Sequence, residues 1–216
     1  MKTIFDASRI VTGSIALWKG APWDVISGAI AAAEDALHPG PDSFHTTPSH
    51  VDILEVKDSG IIMRHGMSWP RTPYGEYYYA EELTTDCLEW SKSHLVGILT
   101  NPDLIASEFM QIAARDWLRE QQKEHFQYGV ENLFRDLFKI PCDPARPVCS
   151  MFAAMFIRGM SGGGVSDDYS FVYPKSWVTD WNVSPLDIQA WGAAMRWGVP
   201  FCREVPDDYQ TTEIEA

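Results

Sequence analysis

The sequence predicts an α+β domain in which an antiparallel sheet packs around one buried helix. Three observations carry this reading. Strand-like segments at Gly13–Trp18, His50–Val56 and Ile61–Trp69 fall in the first half of the chain. An apolar run with helical spacing, from Cys149 to Arg158, falls in the second half. No repeat, low-complexity tract or linker separates the two, so strands and helix belong to one unit. With 216 residues, 45% of them hydrophobic, the chain is long enough for a single domain, 1–216, with a substantial core and an elaborated insertion.

The elements follow in order. GSIALW, Gly13 to Trp18, reads as a short apolar strand ended by the turn Lys19-Gly20-Ala21-Pro22. Trp23–Ala36 has helical spacing, and residues 37–48 form a loop dense in Pro, Gly, Ser and Thr. His50–Val56 is a strand, Lys57-Asp58-Ser59-Gly60 turns the chain, and Ile61–Trp69 returns as the second arm of a hairpin. Tyr77–Ala80 and Leu95–Leu99 are strand-like and flank a polar stretch. Asn101-Pro102-Asp103 combines an N-cap side chain, a proline at the first helical position and an acid in the first turn, starting a helix that runs to about Glu124. Phe126–Phe138 reads as a shorter amphipathic helix, and Pro141–Pro147 breaks the chain before Cys149. Residues 159–168 are a glycine-rich loop, Tyr169–Tyr173 a further strand, and Ser184-Pro185-Leu186-Asp187 the capped start of a last helix toward Trp197. Residues 207–216 read as a frayed acidic tail.

Composition excludes some functions. A net charge of −13 argues against nucleic acid, because binding a phosphate backbone needs a basic patch. Charges interrupt the N-terminal stretch before an apolar segment forms, and no stretch approaches the ~20 apolar residues of a membrane span. The expectation is a cytoplasmic protein without stable membrane insertion. The four cysteines lie in no Cys-x-x-Cys or Cys/His ligand spacing, which argues against structural zinc, and no cofactor is expected. A disulfide between Cys142 and Cys149 would consume the thiol at the helix start.

That thiol is the centre of the chemistry the sequence offers. From Cys149 the apolar Phe152, Ala153, Phe156 and Ile157 recur on one helix face, while Met151, Ala154 and Met155 make the rest apolar too. A cysteine in the first turn meets the positive end of the helix dipole and unpaired backbone N–H groups, a setting that favours the nucleophilic thiolate. The plainer alternative is a small core residue. Cysteine hydrolases also need an imidazole to hold the proton and a polar group to orient the ring. His50 opens a strand and supplies the first. If Val56 faces Ile61 across the turn, His65 lies on the His50 face one diagonal step away, and Asp52 shares that face by alternation. His65 is the first choice for the orienting residue and Asp52 the second. A register slip by one residue would replace His65 with Arg64 or Gly66.

These segments, taken in order, resemble the circularly permuted branch of the NlpC-type papain-like cysteine hydrolases, the YiiX-like proteins. The resemblance runs through Gly13–Trp18, Trp23–Ala36, Ser49-His50-Val51, Asn101–Glu124 followed by Tyr128, Cys149-Ser150, and Ser184-Pro185-Leu186-Asp187. It implies a papain-like fold with Cys149 as nucleophile, His50 as general base, and Tyr128 lining the site, with Ser150 and Asp52 beside it toward substrate. It further implies hydrolysis through a thioester of a peptide, cell-wall peptide or acyl-linked substrate, and a cell-wall substrate would then be reached by lysis or delivery in a particle. The family's third catalytic position is often glutamate on the second hairpin strand; here Ile62-Met63-Arg64-His65-Gly66 contains none. That absence supports an alternative, a papain-like scaffold kept for binding or assembly. Residues 70–100 exceed the family pattern and read as an insertion, a lid or a substrate wall.

Overall fold

The structure, a computed structural model, describes residues 2–5, 9–19, 32, 48–67, 78–83, 95–124, 126–137, 140–160, 177, 181–197 and 202–205. Apart from Ala32, the expected helix at 23–36 lies outside these residues, as do the loop at 37–47, the strand at 169–173 and the tail at 207–216.

Seven strands and five helices are described: β1 Lys2–Phe5, β2 Ile15–Trp18, β3 His50–Val56, β4 Ile62–Met67, β5 Tyr78–Glu82, β6 Leu95–Leu99, α1 Pro102–Ala106, α2 Glu108–Gln121, α3 Val130–Leu137, α4 Cys149–Met160, α5 Pro185–Ala194 and β7 Cys202–Val205. The architecture is mixed α+β. Five strands form one antiparallel sheet in the order β5-β4-β3-β2-β6, and β1 pairs with β7 in a separate antiparallel ribbon. The strands at Tyr78–Glu82 and Leu95–Leu99 are the two edges of the sheet, so two segments of the stretch expected as an insertion or lid are part of the sheet itself.

The hairpin of β3 and β4 decides which side chains meet. Lys57 N–H bonds to Ile61 C=O at 2.8 Å and Gly60 N–H to Lys57 C=O at 2.9 Å, with Gly60 at φ +81°. A turn of three residues, Asp58-Ser59-Gly60, with its last residue left-handed, therefore closes the hairpin. Val56 faces Ile62 and Ile53 faces His65. The expected pairing of Val56 with Ile61 assumed four turn residues and is off by one. Because side chains alternate along a strand, that single step moves His65 to the opposite face.

Both faces of the sheet carry an apolar cluster. Ile15, Leu17, Val51, Ile53 and Met67 join Phe152, Phe156 and Ile157 of α4 in the larger core cluster, whereas Ala16, Trp18, Leu54, Ile62 and Ile98 form a smaller one. Cys149 to Ala154, Phe156 and Ile157 are all buried, as the near-uniform hydrophobicity of this helix predicts. Phe152 meets Trp117 of α2 at a tilt and Phe156 meets it edge-on, with ring centroids 5.4 and 5.3 Å apart. Burying each such ring contributes about 1.5–3 kcal/mol.

The expected helix from Asn101 to Glu124 is two helices. Asn101 caps α1, accepting from Asp103 N–H at 2.9 Å, but the chain becomes extended at Ser107 (φ −133°, ψ 105°), which caps α2 in turn. The Gln111 side-chain amide donates to Leu104 C=O at 2.8 Å, satisfying a carbonyl left by the break. The helix expected from Phe126 begins only at Val130. At α5, Ser184 and Asp187 form the reciprocal capping box that the sequence predicts. Among the described residues no helix is long and apolar enough to cross a membrane.

Candidate active site

Three elements bring the site together. β3 supplies His50 and, two residues on and hence on the same face, Asp52. β5, on the far side of β4, supplies Tyr79, and α4 supplies Cys149 at its first position. His50 Nε2 lies 2.9 Å from Asp52 Oδ1 and 2.7 Å from the Tyr79 hydroxyl. Tyr79 donates its hydroxyl proton to the same Asp52 oxygen. A carboxylate only accepts, so His50 Nε2 carries a proton and donates it toward Asp52 and the phenolic oxygen. Cys149 lies near enough for its charge to act on the His50 ring.

Charge follows geometry. Burial opposes a charge on His50, but the Asp52 carboxylate and Cys149 outweigh it and push the imidazole from its ordinary 6.5 up to about 10. Asp52 is fully buried. Burial alone would raise it, yet the His50 charge and hydrogen bond, with a further bond from Tyr79, hold it below the usual carboxylate range. Burial and then Asp52 keep the Tyr79 hydroxyl protonated well past its ordinary value, so it remains a donor. Arg64 approaches Asp52 Oδ2 at 3.8 Å, bonds Glu81 at 2.5 Å, and lies over the rings of Trp18 and Tyr79 at 5.5 and 5.6 Å.

Gly66 makes this packing feasible. A Cβ there would fall 2.2 Å from Asp52 Oδ1 and 2.8 Å from the Tyr79 hydroxyl, so only glycine leaves room for the carboxylate and phenol to meet.

His65, expected to orient His50, does not reach it. Buried at 1% exposure, it bonds Glu55 Oε2 through Nε2 at 2.9 Å and the Tyr78 hydroxyl through Nδ1 at 2.6 Å. Asp52, the second choice, makes that contact instead. Tyr128 is buried in the cluster that holds Val148 and Met151, the chain neighbours of the Cys149–Ser150 pair, and Ser150 is buried in the first turn of α4. Cys142 and Cys149 are not joined in a disulfide, so no bond between them consumes the thiol. Sequence reasoning missed Tyr79, because a run of tyrosines in a strand reads as core; the signal is that Tyr78 and Tyr79, as neighbours, must face opposite sides.

A loop clamp precedes the cysteine. The Asn132 side chain, fully buried on α3, donates to Asp143 C=O at 2.9 Å and Arg146 C=O at 2.8 Å and accepts from Asp143 N–H at 3.0 Å. Among the described residues no group of three or more His, Cys, Asp or Glu is placed to hold a metal ion.

An imidazole tied to a buried carboxylate and close to a thiol can take the thiol proton and remain stable as a cation. Comparison with protein-family models, with curated proteins and with solved structures gives no match for this chain.

Proposed function

We propose that the chain is a cysteine hydrolase acting on an amide, isopeptide or acyl bond, with a papain-like arrangement of its site. The observation that supports this best is the bond between His50 Nε2 and the buried Asp52 carboxylate, with Cys149 near enough for its charge to act on the same ring. Cys149 Sγ attacks the carbonyl carbon while His50 holds the thiol proton. The tetrahedral oxyanion forms beside the first-turn N–H groups of α4, which a helix leaves without internal partners. His50 then gives the proton to the leaving amine or alcohol as the thioester forms. Water, deprotonated by His50, attacks the thioester; the acid departs and the thiol recovers its proton. Asp52 fixes the ring and offsets its charge throughout, and Tyr79 fixes Asp52. Peptides, cell-wall peptides and acyl-linked compounds are the substrate classes in view. With Asp52 on the ring, the absence of glutamate from β4 no longer favours a non-catalytic scaffold.

Iodoacetamide tests the reading. At about pH 6, well below the ordinary thiol range near 8.5, Cys149 is expected to react first and at a single site, and His50→Ala to slow it at least about tenfold. Labelling of Cys149 no faster than of Cys87 or Cys202 removes the hydrolase reading and leaves the scaffold. Hydrolysis of one member of a panel of peptide, isopeptide and thioester substrates, lost in Cys149→Ser, then identifies the bond.

A further inference from the structure

A second buried polar cluster lies on the other face of the same hairpin, and the chemistry proposed above does not use it. Glu55, 2% exposed, accepts from His65 Nε2 at 2.9 Å and from Lys57 Nζ at 2.6 Å, with Arg115 Nε at 3.9 Å from its other oxygen. Because the Glu55 carboxylate only accepts, His65 carries its proton on Nε2. Its Nδ1 is then an acceptor, and the Tyr78 hydroxyl, 2.6 Å away, must donate to it. The tautomer of one histidine thus fixes the direction of the whole chain of bonds. Burial holds His65 below its ordinary value against the pull of Glu55, and burial holds the Tyr78 hydroxyl protonated, which suits this direction.

Tyr78 is the immediate neighbour of Tyr79, and β5 is an edge strand. An edge strand has one hydrogen-bonded neighbour and is the least constrained part of a sheet. Ala80 and Glu82 are exposed and the other three residues half-buried, so burial of side chains does little to fix the strand. Two polar contacts do more: Arg64 to Glu81 on the Asp52 side, and His65 to Tyr78 on the other. The Tyr78 ring also meets Phe152 edge-on, with centroids 5.7 Å apart, which ties the strand to the helix that begins with Cys149.

We propose that Glu55, His65 and Tyr78 form a latch that positions β5, so that Tyr79 reaches the Asp52 carboxylate and the His50 ring. His65 and Tyr78 are positioning residues, acting on the site only through Tyr79. The latch deepens the hydrolase reading by naming what holds the site in register, but its test does not depend on turnover.

The test is the ring titration of His50, followed by NMR in the full-length chain from neutral pH to beyond its midpoint. Against burial, the groups that set this midpoint are Asp52 on β3 and Cys149 on α4, with Tyr79 on β5 and Arg64 on β4 acting through Asp52, and Glu81 on β5 through Arg64. Tyr79→Phe is expected to move the midpoint by on the order of half a unit or more. Tyr78→Phe, which removes one oxygen and keeps the ring on Phe152, is expected to move it the same way, and the double variant no further. His65→Gln, a second route to the same contact, should reproduce the Tyr78→Phe shift. An unchanged midpoint in folded Tyr78→Phe overturns the latch, as does a double variant whose shift is the sum of the two. A slow, His50-independent alkylation of Cys149 overturns the hydrolase reading alone, because the His50 titration still reports on the latch.

Discussion

At the scale of single residues, the site rests on one carboxylate. Asp52 favours the charged form of His50, so its removal must lower the imidazole. Asp52→Asn is therefore expected to bring the His50 midpoint from about 10 down toward its ordinary 6.5, read by NMR, and to slow iodoacetamide labelling of Cys149. Gly66 is the second such residue. In Gly66→Ala the new methyl lies 2.2 Å from Asp52 Oδ1, so either the carboxylate or β4 must shift. The expected outcome is a loss of about 1–3 kcal/mol in stability, measured by urea unfolding, together with labelling of Cys149 as slow as in Asp52→Asn. Wild-type labelling in Gly66→Ala would mean that the Asp52–Tyr79 contact is dispensable.

At the scale of elements, periodicity and capping were the legible signals. β3 and β6 have the boundaries expected from their runs of apolar residues, and α5 has the cap that Ser184 and Asp187 announce. Helix α4 is buried nearly all round because its sequence leaves it no polar face. Its phenylalanines should be the costliest core residues to truncate. Phe156→Ala, at a side chain with no exposed surface, is expected to lower stability by about 3–5 kcal/mol, seen as a fall in the denaturant midpoint with an unchanged slope. What was not legible was register. Lys57-Asp58-Ser59-Gly60 announces a turn, but whether three or four residues make it depends on the backbone angle of Gly60, and on that angle hangs which of His65 and Gly66 sits behind His50. The break at Ser107 escaped for a related reason: a serine suits a helix interior poorly and a cap well, and only tertiary contacts such as Gln111 to Leu104 decide between them. Tyr79 escaped because nothing in a strand of tyrosines says which hydroxyl will meet a charge.

At the scale of the whole molecule, the site makes stability depend on pH. His50 is raised in the folded chain, so its contribution is fully present below its ordinary 6.5 and is lost as pH rises through about 10. Asp52 is lowered, so its contribution is present above its ordinary 3.8 and is lost as pH falls through its depressed value. The thermal midpoint is therefore expected to fall on the alkaline side as His50 discharges. In Asp52→Asn that fall should be much smaller and complete at lower pH, because a ring whose midpoint returns toward 6.5 no longer differs much between the folded and unfolded chain. Calorimetry across the alkaline range measures both; an alkaline limb identical in the two proteins would separate the buried charge of His50 from Asp52. The pairing of β1 with β7 was not foreseen, since neither run is long or apolar enough to announce a strand without its partner.

The Asn132 clamp has a consequence in time rather than in strength. One buried amide fixes the loop at Asp143 and Arg146, so the backbone that leads into Cys149 loses its freedom when the chain folds, not when a substrate arrives. A thiol delivered in this way is held in position, and in the hydrolase proposed above every turnover would begin from the same starting geometry.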